Sequence, residues 1–204
     1  MKISYAITVC NESKEIKKLI PLLLESKREV DEVVVLFDKQ NGTAEVWSYL
    51  QEQNVICEAK SFKNHFADWK NYLTDMCSGD YIFQIDADEY PHKSLLTALP
   101  VILESNPDNE VYLLPRVNTV EGLTEEHIAK WGWKVDDKGW VNYPDYQWRI
   151  WKNKPEIKWK NKVHEVLEGF KTYAPLPAQE ELSLYHPKDI KRQEKQNAYY
   201  DSLQ

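Results

Sequence analysis

Apolar runs and amphipathic segments alternate through the first half of the chain. The apolar runs are short, rich in β-branched residues and bounded by turn residues, which predicts buried strands. Between them, apolar residues recur every three or four positions, most clearly over residues 14–26, which predicts helices. The predicted strands cover residues 3–9, 32–37, 54–59, 81–86 and 110–117, and the predicted helices cover residues 14–26, 44–50, 64–78 and 93–104. This order predicts an α/β fold with a mostly parallel central sheet and helices on both faces.

Capping and turn residues mark the expected ends of these elements. Asn11, Glu12 and Ser13 are typical of the start of a helix, and Gly79 is typical of the end of one. Pro21 either weakens the first helix or divides it. We therefore expect helix boundaries close to residues 13 and 78.

After residue 118 the pattern changes. The chain becomes rich in Trp, Tyr and Lys, and it loses clear periodicity. Short strands are predicted at residues 146–151 and 163–167, and a polar terminal helix at residues 189–203. We expect one domain over residues 1–204, with a first half at 1–117 and a small, irregular, aromatic-rich second half at 118–204.

Charge and cysteine content exclude several classes of protein. A formal net charge of −7 argues against broad binding of nucleic acid or anionic membranes. The three cysteines are widely spaced without a metal-ligand pattern, which predicts reduced, buried thiols in an intracellular protein, and we expect it to be cytoplasmic. The apolar run at residues 3–9 is short and soon followed by polar residues, so we expect it to be a buried strand rather than a signal peptide. No apolar segment has membrane-spanning length. The charged ending after residue 191 is compatible with a domain of a longer, multi-domain chain.

Two carboxylates at the end of the predicted strand 81–86 carry the strongest chemical signal. Asp86 and Asp88 are followed by Glu89. In an open α/β sheet, ligands bind outside the carboxyl ends of the strands. Mg²⁺ and Mn²⁺ are commonly held there by one or two carboxylates plus substrate phosphates. The pattern predicts a site for a metal-chelated diphosphate; the alternative is the polar end of a strand entering the turn before Pro91.

Five pieces of sequence in one order resemble a glycosyltransferase of the GT-A (Rossmann-like) fold, in particular the small members of glycosyltransferase family two. They are residues 7–12 (ITVCNE), 33–38 (VVVLFD) with Gly42 and Thr43, 68–71 (DWKN), 78–89 (SGDYIFQIDADE), and 148–154 (WRIWKNK) with 163–165 (VHE). The chain departs from the family where Lys70 replaces the usual Arg and where the turn after Asp38 lacks an Asp-x-Gly-Ser sequence. These departures leave the donor and the acceptor open.

The resemblance implies a metal site. Asp88 would be the direct ligand, and Asp86 would contact the ribose or a metal-bound water. A histidine near the C-terminus often completes such sites, and His186 is the candidate, with His164 as its competitor. Because Mn²⁺ accepts imidazole more readily than Mg²⁺, a histidine ligand favours Mn²⁺.

The resemblance also implies where the rest of the donor binds. Thr8, Asn11 and Asp38 would bind the uracil end, and the alternative for Asp38 is to cap the turn before Asn41 and Gly42. Lys70 would neutralise a phosphate, unless it is one more solvated lysine on a helix.

An inverting transfer also needs a base within hydrogen-bond reach of the acceptor hydroxyl. Glu165 is the candidate, and the alternatives are Glu89, Asp137 and Asp145.

Eight tryptophans are present, and six of them lie in the segment from Trp131 to Trp159. Their rings could stack on acceptor sugars or fill the core.

These features predict a metal-dependent glycosyltransferase that moves a sugar from a nucleotide-diphosphate donor, a UDP-hexose, to a glycan or another hydroxyl acceptor. Two alternatives stay open. A non-catalytic carbohydrate-binding module would account for the tryptophans but not for the carboxylates after the strand. A sugar nucleotidyltransferase usually carries a glycine-rich basic loop after its first strand, where this chain has residues 10–13 without glycine.

Overall fold

The computed structural model describes residues 1–195. Its strands are β1 (Ile3–Val9), β2 (Glu32–Asp38), β3 (Ile56–Lys60), β4 (Tyr81–Asp86), β5 (Tyr90–Pro91), β6 (Val111–Leu114), β7 (Arg116–Glu121), β8 (Gln147–Lys152), β9 (Lys158–Lys160), β10 (Val166–Glu168), β11 (Tyr173–Pro175) and β12 (Leu184–Asp189). Its helices are α1 (Ser13–Ser26), α2 (Ala44–Gln51), α3 (Phe66–Met76), α4 (Lys93–Ser105) and α5 (Glu125–Trp131). Residues 190–195 are helical, which agrees with the start of the predicted terminal helix 189–203. The rest of that predicted helix lies outside the described residues.

Seven strands form the central sheet, in the order β11-β6-β8-β4-β1-β2-β3. β1 lies between β4 and β2 and is parallel to both, and β3 continues parallel to β2. β8 runs antiparallel between β6 and β4. The mostly parallel sheet is therefore confirmed, and the carboxyl ends of β1, β2 and β4 meet at one edge.

The helices cover both faces of this sheet, as predicted. Alternate residues of a strand point to opposite faces. Ile7 and Val35 pack with the apolar faces of α1, α2 and α4, whereas Ala6 and Val34 pack with α3 and the β9–β10 hairpin. The buried strands thus bury side chains on both sides, which explains their nearly continuous apolar sequence.

Two predicted helix boundaries have different physical causes from those expected. α1 begins at Ser13, but the side chain of Glu12 does not cap it; Glu12 Oε2 instead accepts from the amides of Cys10 and Asn11, at 2.8 and 3.0 Å. α3 ends at Met76 rather than at Gly79. Gly79 serves close packing, because a Cβ there would lie 2.7 Å from the backbone nitrogen of Ser4.

The predicted strand 110–117 is wrong as a single element. The chain leaves the central sheet after β6 and enters a second sheet as β7, in the order β5-β12-β7. Pro115 lies between the two strands and has no N–H for a ladder, while its carbonyl accepts from Leu184 at 2.9 Å.

The second half of the chain is also more regular than its lost periodicity suggested. β8 and β11 lie within the central sheet, so residues on both sides of position 117 build it. Of the six tryptophans in this half, Trp151 and Trp159 are buried core residues and the other four are half-buried.

Within the described chain, no helix is long and apolar enough to span a membrane. The three cysteines are free, but only Cys77 is buried, whereas Cys10 and Cys57 are half-buried, so the prediction of buried thiols is wrong for these two.

Candidate active site

A cleft of about 850 Å³ opens at the carboxyl ends of β1, β2 and β4. Every site residue predicted from the sequence lines it: Thr8, Asn11, Asp38, Lys70, Asp86, Asp88, Glu165 and His186. His164, the competing ligand, lines it as well. The fold therefore brings together residues that are far apart in the sequence, with Thr8 and His186 separated by 178 positions.

The loop after β1 forms one wall of the cleft. Glu12 turns back to accept from two amides of this loop, so its carboxylate shapes the backbone. Thr8 and Asn11 line the cleft beside it. Burial and the nearby carboxylate of Glu12 raise the pKa of Cys10 to about 11, so this neighbouring thiol stays protonated.

Asp38 organises the turn at the end of β2. Its Oδ1 accepts from the amides of Gln40 at 3.0 Å and Phe62 at 3.1 Å, and its Oδ2 accepts from Asn41 Nδ2 at 2.7 Å. Asp38 therefore caps the turn, and its binding of uracil stays a prediction. A carboxylate has about four acceptor positions, so one on Oδ2 stays open toward the cleft that Asp38 lines.

Asp86 is held by a buried ion network. Arg149 Nη2 donates to Asp86 Oδ2 and to Glu89 Oε1, both at 2.6 Å. Arg116 Nη1 donates to the same oxygen of Glu89 at 2.9 Å. Burial disfavours the charged form of Asp86, but the positive charge of Arg149 outweighs it and lowers the pKa of this carboxyl.

Asp88 has different partners. His186 Nε2 lies 3.3 Å from Asp88 Oδ2, and Arg192 Nη2 lies 3.1 Å from the same oxygen. Arg192 also approaches Glu15 of α1 at 3.2 Å. Burial raises the pKa of Asp88, and the hydrogen bond and charge of His186 lower it by more, so the net shift is downward.

Lys70 and Glu165 form an ion pair across the cleft. The ammonium of Lys70 also lies over the ring of Trp159, 4.4 Å from its centroid. Glu165 is supplied by the β9–β10 hairpin, where His164 adopts a left-handed backbone conformation with φ of 53°. The predicted phosphate-binding residue and the predicted base therefore contact each other.

The other candidate bases are less suited to that role. Glu89 is fully buried and binds two arginines, and Asp145 accepts from Arg116 and Asn118. Asp137 is exposed and is not among the residues that line the cleft. Among the four candidates, Glu165 is the carboxylate that lines the cleft.

Sequence reasoning assigned no role to Arg149 and Arg116, although both line the cleft. A signal for Arg149 was present, because it lies between Trp148 and Ile150 in the middle of a predicted strand, and a buried arginine is seldom without a partner. Arg116 follows Pro115 and carried no comparable signal. Their partners Asp86, Glu89 and Asp145 lie 27 to 63 positions away in the chain.

The arrangement offers a pair of metal ligands rather than a complete set. Within residues 1–195, no group of three or more His, Cys, Asp or Glu side chains could hold a metal ion. Asp88 Oδ2 and His186 Nε2 are adjacent and are suitable donor atoms for Mn²⁺. Asp86 Oδ2 accepts from Arg149 at 2.6 Å and Oδ1 from Gln84 Nε2 at 3.4 Å, so Arg149 already compensates the charge of Asp86.

Comparisons with known proteins agree with this architecture. The family model for glycosyl transferase family 2 matches residues 4–174. The crystal structure of S. aureus TarS 1-349 matches with a TM-score of 0.61 and 16% identity, covering 92% of this chain and 60% of that one. Its complex with UDP-GlcNAc matches with a TM-score of 0.54 and 14% identity, and the match covers 89% of this chain and 60% of that one. Its complex with UDP matches with a TM-score of 0.54 and 16% identity, and the match covers 86% of this chain and 61% of that one.

The chain thus spans about 60% of the TarS 1-349 chains that it matches. At these identities the likeness shows the fold, which is the predicted GT-A arrangement. No curated protein matches this sequence.

Proposed function

The chain belongs to glycosyl transferase family 2, and we propose that it moves a hexose from a UDP-sugar to a hydroxyl of a glycan or another acceptor. The observation that carries this proposal is the convergence of all eight predicted site residues on one cleft at the carboxyl edge of a parallel sheet. The structures of TarS with UDP-GlcNAc and UDP support a UDP-sugar as the donor.

In this proposal the first wall of the cleft binds the nucleotide. Asp38 accepts a hydrogen bond from the imide N–H of uracil through the open position on Oδ2, while its other acceptor positions hold the turn. Thr8 and Asn11 line the same end. Lys70, on α3, lies within the cleft to neutralise a phosphate.

Asp88 and His186 would hold a divalent ion, Mn²⁺ rather than Mg²⁺ because one ligand is an imidazole. The ion's remaining ligands would be diphosphate oxygens and water, as is usual where a protein supplies only one or two side chains. Bound there, the ion supplies a Lewis acid for the negative charge of the leaving diphosphate. Asp86, neutralised by Arg149, would contact the ribose instead.

Glu165 is the proposed base for an inverting transfer. Its carboxylate takes the proton of the acceptor hydroxyl while the acceptor oxygen bonds to the anomeric carbon. The bond from that carbon to the diphosphate breaks, and its electron pair leaves with UDP. Positioned bases of this kind contribute about 10²- to 10⁴-fold to the rate. The half-buried ring of Trp148 beside the site offers a stacking surface for a sugar.

The test is a melting-temperature screen with UDP, GDP, CMP and dTDP, each with and without Mn²⁺. A ligand at 100 times its Kd stabilises a protein by about 2.7 kcal/mol. We expect stabilisation by UDP and Mn²⁺ together, loss of the Mn²⁺-dependent part in Asp88→Asn, and retention of it in the exposed control Asp137→Asn.

The active combination would then be assayed for transfer from UDP-sugars. No response to any nucleotide would overturn the proposal and favour a carbohydrate-binding module. A response only to a nucleoside triphosphate with a sugar-1-phosphate would favour a nucleotidyltransferase.

A further inference from the structure

β7 and β12 lie side by side at the cleft, and their register pairs Asn118 with His186. Side chains two residues apart on a strand share a face. Arg116 therefore shares a face with Asn118, and Lys188 shares one with His186. Arg116, His186 and Lys188 line the cleft, so this face of the second sheet is the one turned toward the proposed metal position.

The orientation of the Asn118 amide follows from its neighbour Asp145. Asn118 Nδ2 donates to Asp145 Oδ2 at 2.9 Å, and the same oxygen accepts from Arg116 Nε at 3.0 Å and Nη2 at 2.6 Å. Burial opposes ionisation of Asp145, but the charge of Arg116 and the hydrogen bond from Asn118 lower its pKa. An ionised carboxylate only accepts hydrogen bonds. The NH₂ of Asn118 must therefore face Asp145, and its oxygen must face the other way.

That oxygen defines the tautomer of His186. Asn118 Oδ1 lies 2.8 Å from His186 Nδ1. An amide oxygen only accepts, so Nδ1 carries the proton of the neutral imidazole and Nε2 keeps its lone pair. Nε2 in turn lies 3.3 Å from Asp88 Oδ2. In the neutral imidazole, Nε2 and Asp88 Oδ2 are thus two adjacent electron-pair donors that a cation can bind together. Without a cation, a proton on Nε2 can take that place and donate to Asp88.

We infer that Asn118, oriented by Asp145, is a positioning residue that holds His186 as the Nδ1–H tautomer and thereby presents Nε2 beside Asp88 as a metal ligand. The metal part of this inference rests on the proposed function; the tautomer part does not. Ligating histidines nearly always donate their other ring N–H to an acceptor, and losing that acceptor typically costs about 10- to 100-fold in metal affinity.

The experiment uses the full chain labelled with ¹⁵N-histidine, first without metal or nucleotide. NMR distinguishes a protonated Nδ1 from a protonated Nε2 in neutral imidazole, and the His186 signals are assigned by comparison with His186→Gln. We expect Nδ1–H in the wild type and a shift toward Nε2–H in Asn118→Leu. Mn²⁺ is then titrated with and without UDP, and Asn118→Leu should bind it about 10- to 100-fold more weakly.

Thr119→Val is the matched control, because Thr119 is the next residue on β7 and points to the opposite face. It should keep both the tautomer and the Mn²⁺ affinity. Asn118→Ala serves if the leucine variant does not fold, since it also lacks the amide oxygen.

An unchanged His186 tautomer in both Asn118 variants would overturn the inference, and so would an equal loss of Mn²⁺ affinity in Thr119→Val. If the tautomer changes but the wild type binds neither Mn²⁺ nor UDP, the proposed function is what fails, while the positioning of His186 by Asn118 stands.

Discussion

Asp86 and Asp88 are two residues apart in one motif, yet their surroundings differ. Exposure does not separate them, because the side chain of Asp86 is 34% exposed and that of Asp88 is 18% exposed. Their partners do. Asp86 is held by Arg149, whose side chain is 4% exposed and which also binds the fully buried Glu89. Asp88 is held by His186 and by Arg192, whose side chain is 34% exposed.

The difference indicates a division of roles within the motif. Asp86 accepts from Arg149 of β8, and Arg116 of β7 belongs to the same network through Glu89. Both arginines lie on strands of the two sheets, and the charge of Asp86 is compensated within the protein. The partners of Asp88 are the imidazole of His186, which can bind a cation together with Asp88, and the partly exposed guanidinium of Arg192, which a bound cation can displace. We therefore expect changes around Asp86 to alter mainly stability, and changes around Asp88 to alter mainly binding.

Arg149→Met should have the largest effect. Removing one partner of a buried ion pair typically costs about 3–5 kcal/mol, because the remaining charges stay buried without compensation. Here Asp86 would lose its arginine donor, and Glu89 would lose one of its two arginine donors. The free energy of unfolding, measured by urea titration, should fall by about that amount.

Lys152→Met is the control for this change, since Lys152 ends the same strand and its side chain reaches the carbonyl of Pro107 at the surface. Its loss should cost no more than about 1.5 kcal/mol, the net value of a single hydrogen bond. Equal losses in the two variants would contradict the view that the Asp86 network is a structural element.

Acid should act on the same network in a defined direction. Burial works against ionisation of Asp86, but Arg149 lowers its folded-state pKa below the unfolded value of 3.8. The resulting stability is fully present above that value and is lost as the pH falls below it toward the folded-state pKa. The loss is at most about 1.4 kcal/mol per pH unit for one carboxyl, and screening by water at this partly exposed side chain makes it smaller.

Urea titrations at pH 7, 5, 4 and 3 measure this dependence. The wild type should lose stability between pH 4 and 3 more steeply than Arg149→Met, in which the cause of the lowered pKa is gone. Parallel pH profiles in the two proteins would show that Arg149 does not set the ionisation of Asp86.

The same contrast separates what the sequence predicted from what it did not. β1, β2, β4 and their helices were predicted because local periodicity carries that information. The carboxylates after β4 were found for the same reason. Asp38 was predicted in two alternative roles, and the structure supplies the donors for the turn-capping one.

The partners of those carboxylates were not predicted, because they belong to strands defined by distant pairing. Arg149 reaches Asp86 across 63 positions, and Arg116 reaches Asp145 across 29. The predicted strand 110–117 joined β6 to the first two residues of β7, although Pro115 between them marks the change of sheet. Local patterns specify which face of a strand is buried, but not which strand lies beside it.

Arg192→Met should have the smallest effect and yet be the most informative about Asp88. Arg192 Nη2 lies 3.1 Å from Asp88 Oδ2, where it competes with a bound cation for that oxygen. Exposed ion pairs are worth about 0.2–1 kcal/mol, so its loss should leave the free energy of unfolding within about 1 kcal/mol. Without this competition, the affinity for Mn²⁺ alone should rise by no more than about fivefold. The affinity is measured from the electron paramagnetic resonance signal of free Mn²⁺.

If Arg192 binds the diphosphate once displaced, the affinity for UDP should fall in the same variant. A lower affinity for Mn²⁺ alone would instead mean that Arg192 supports the arrangement of Asp88, and that the two carboxylates differ less than their partners suggest.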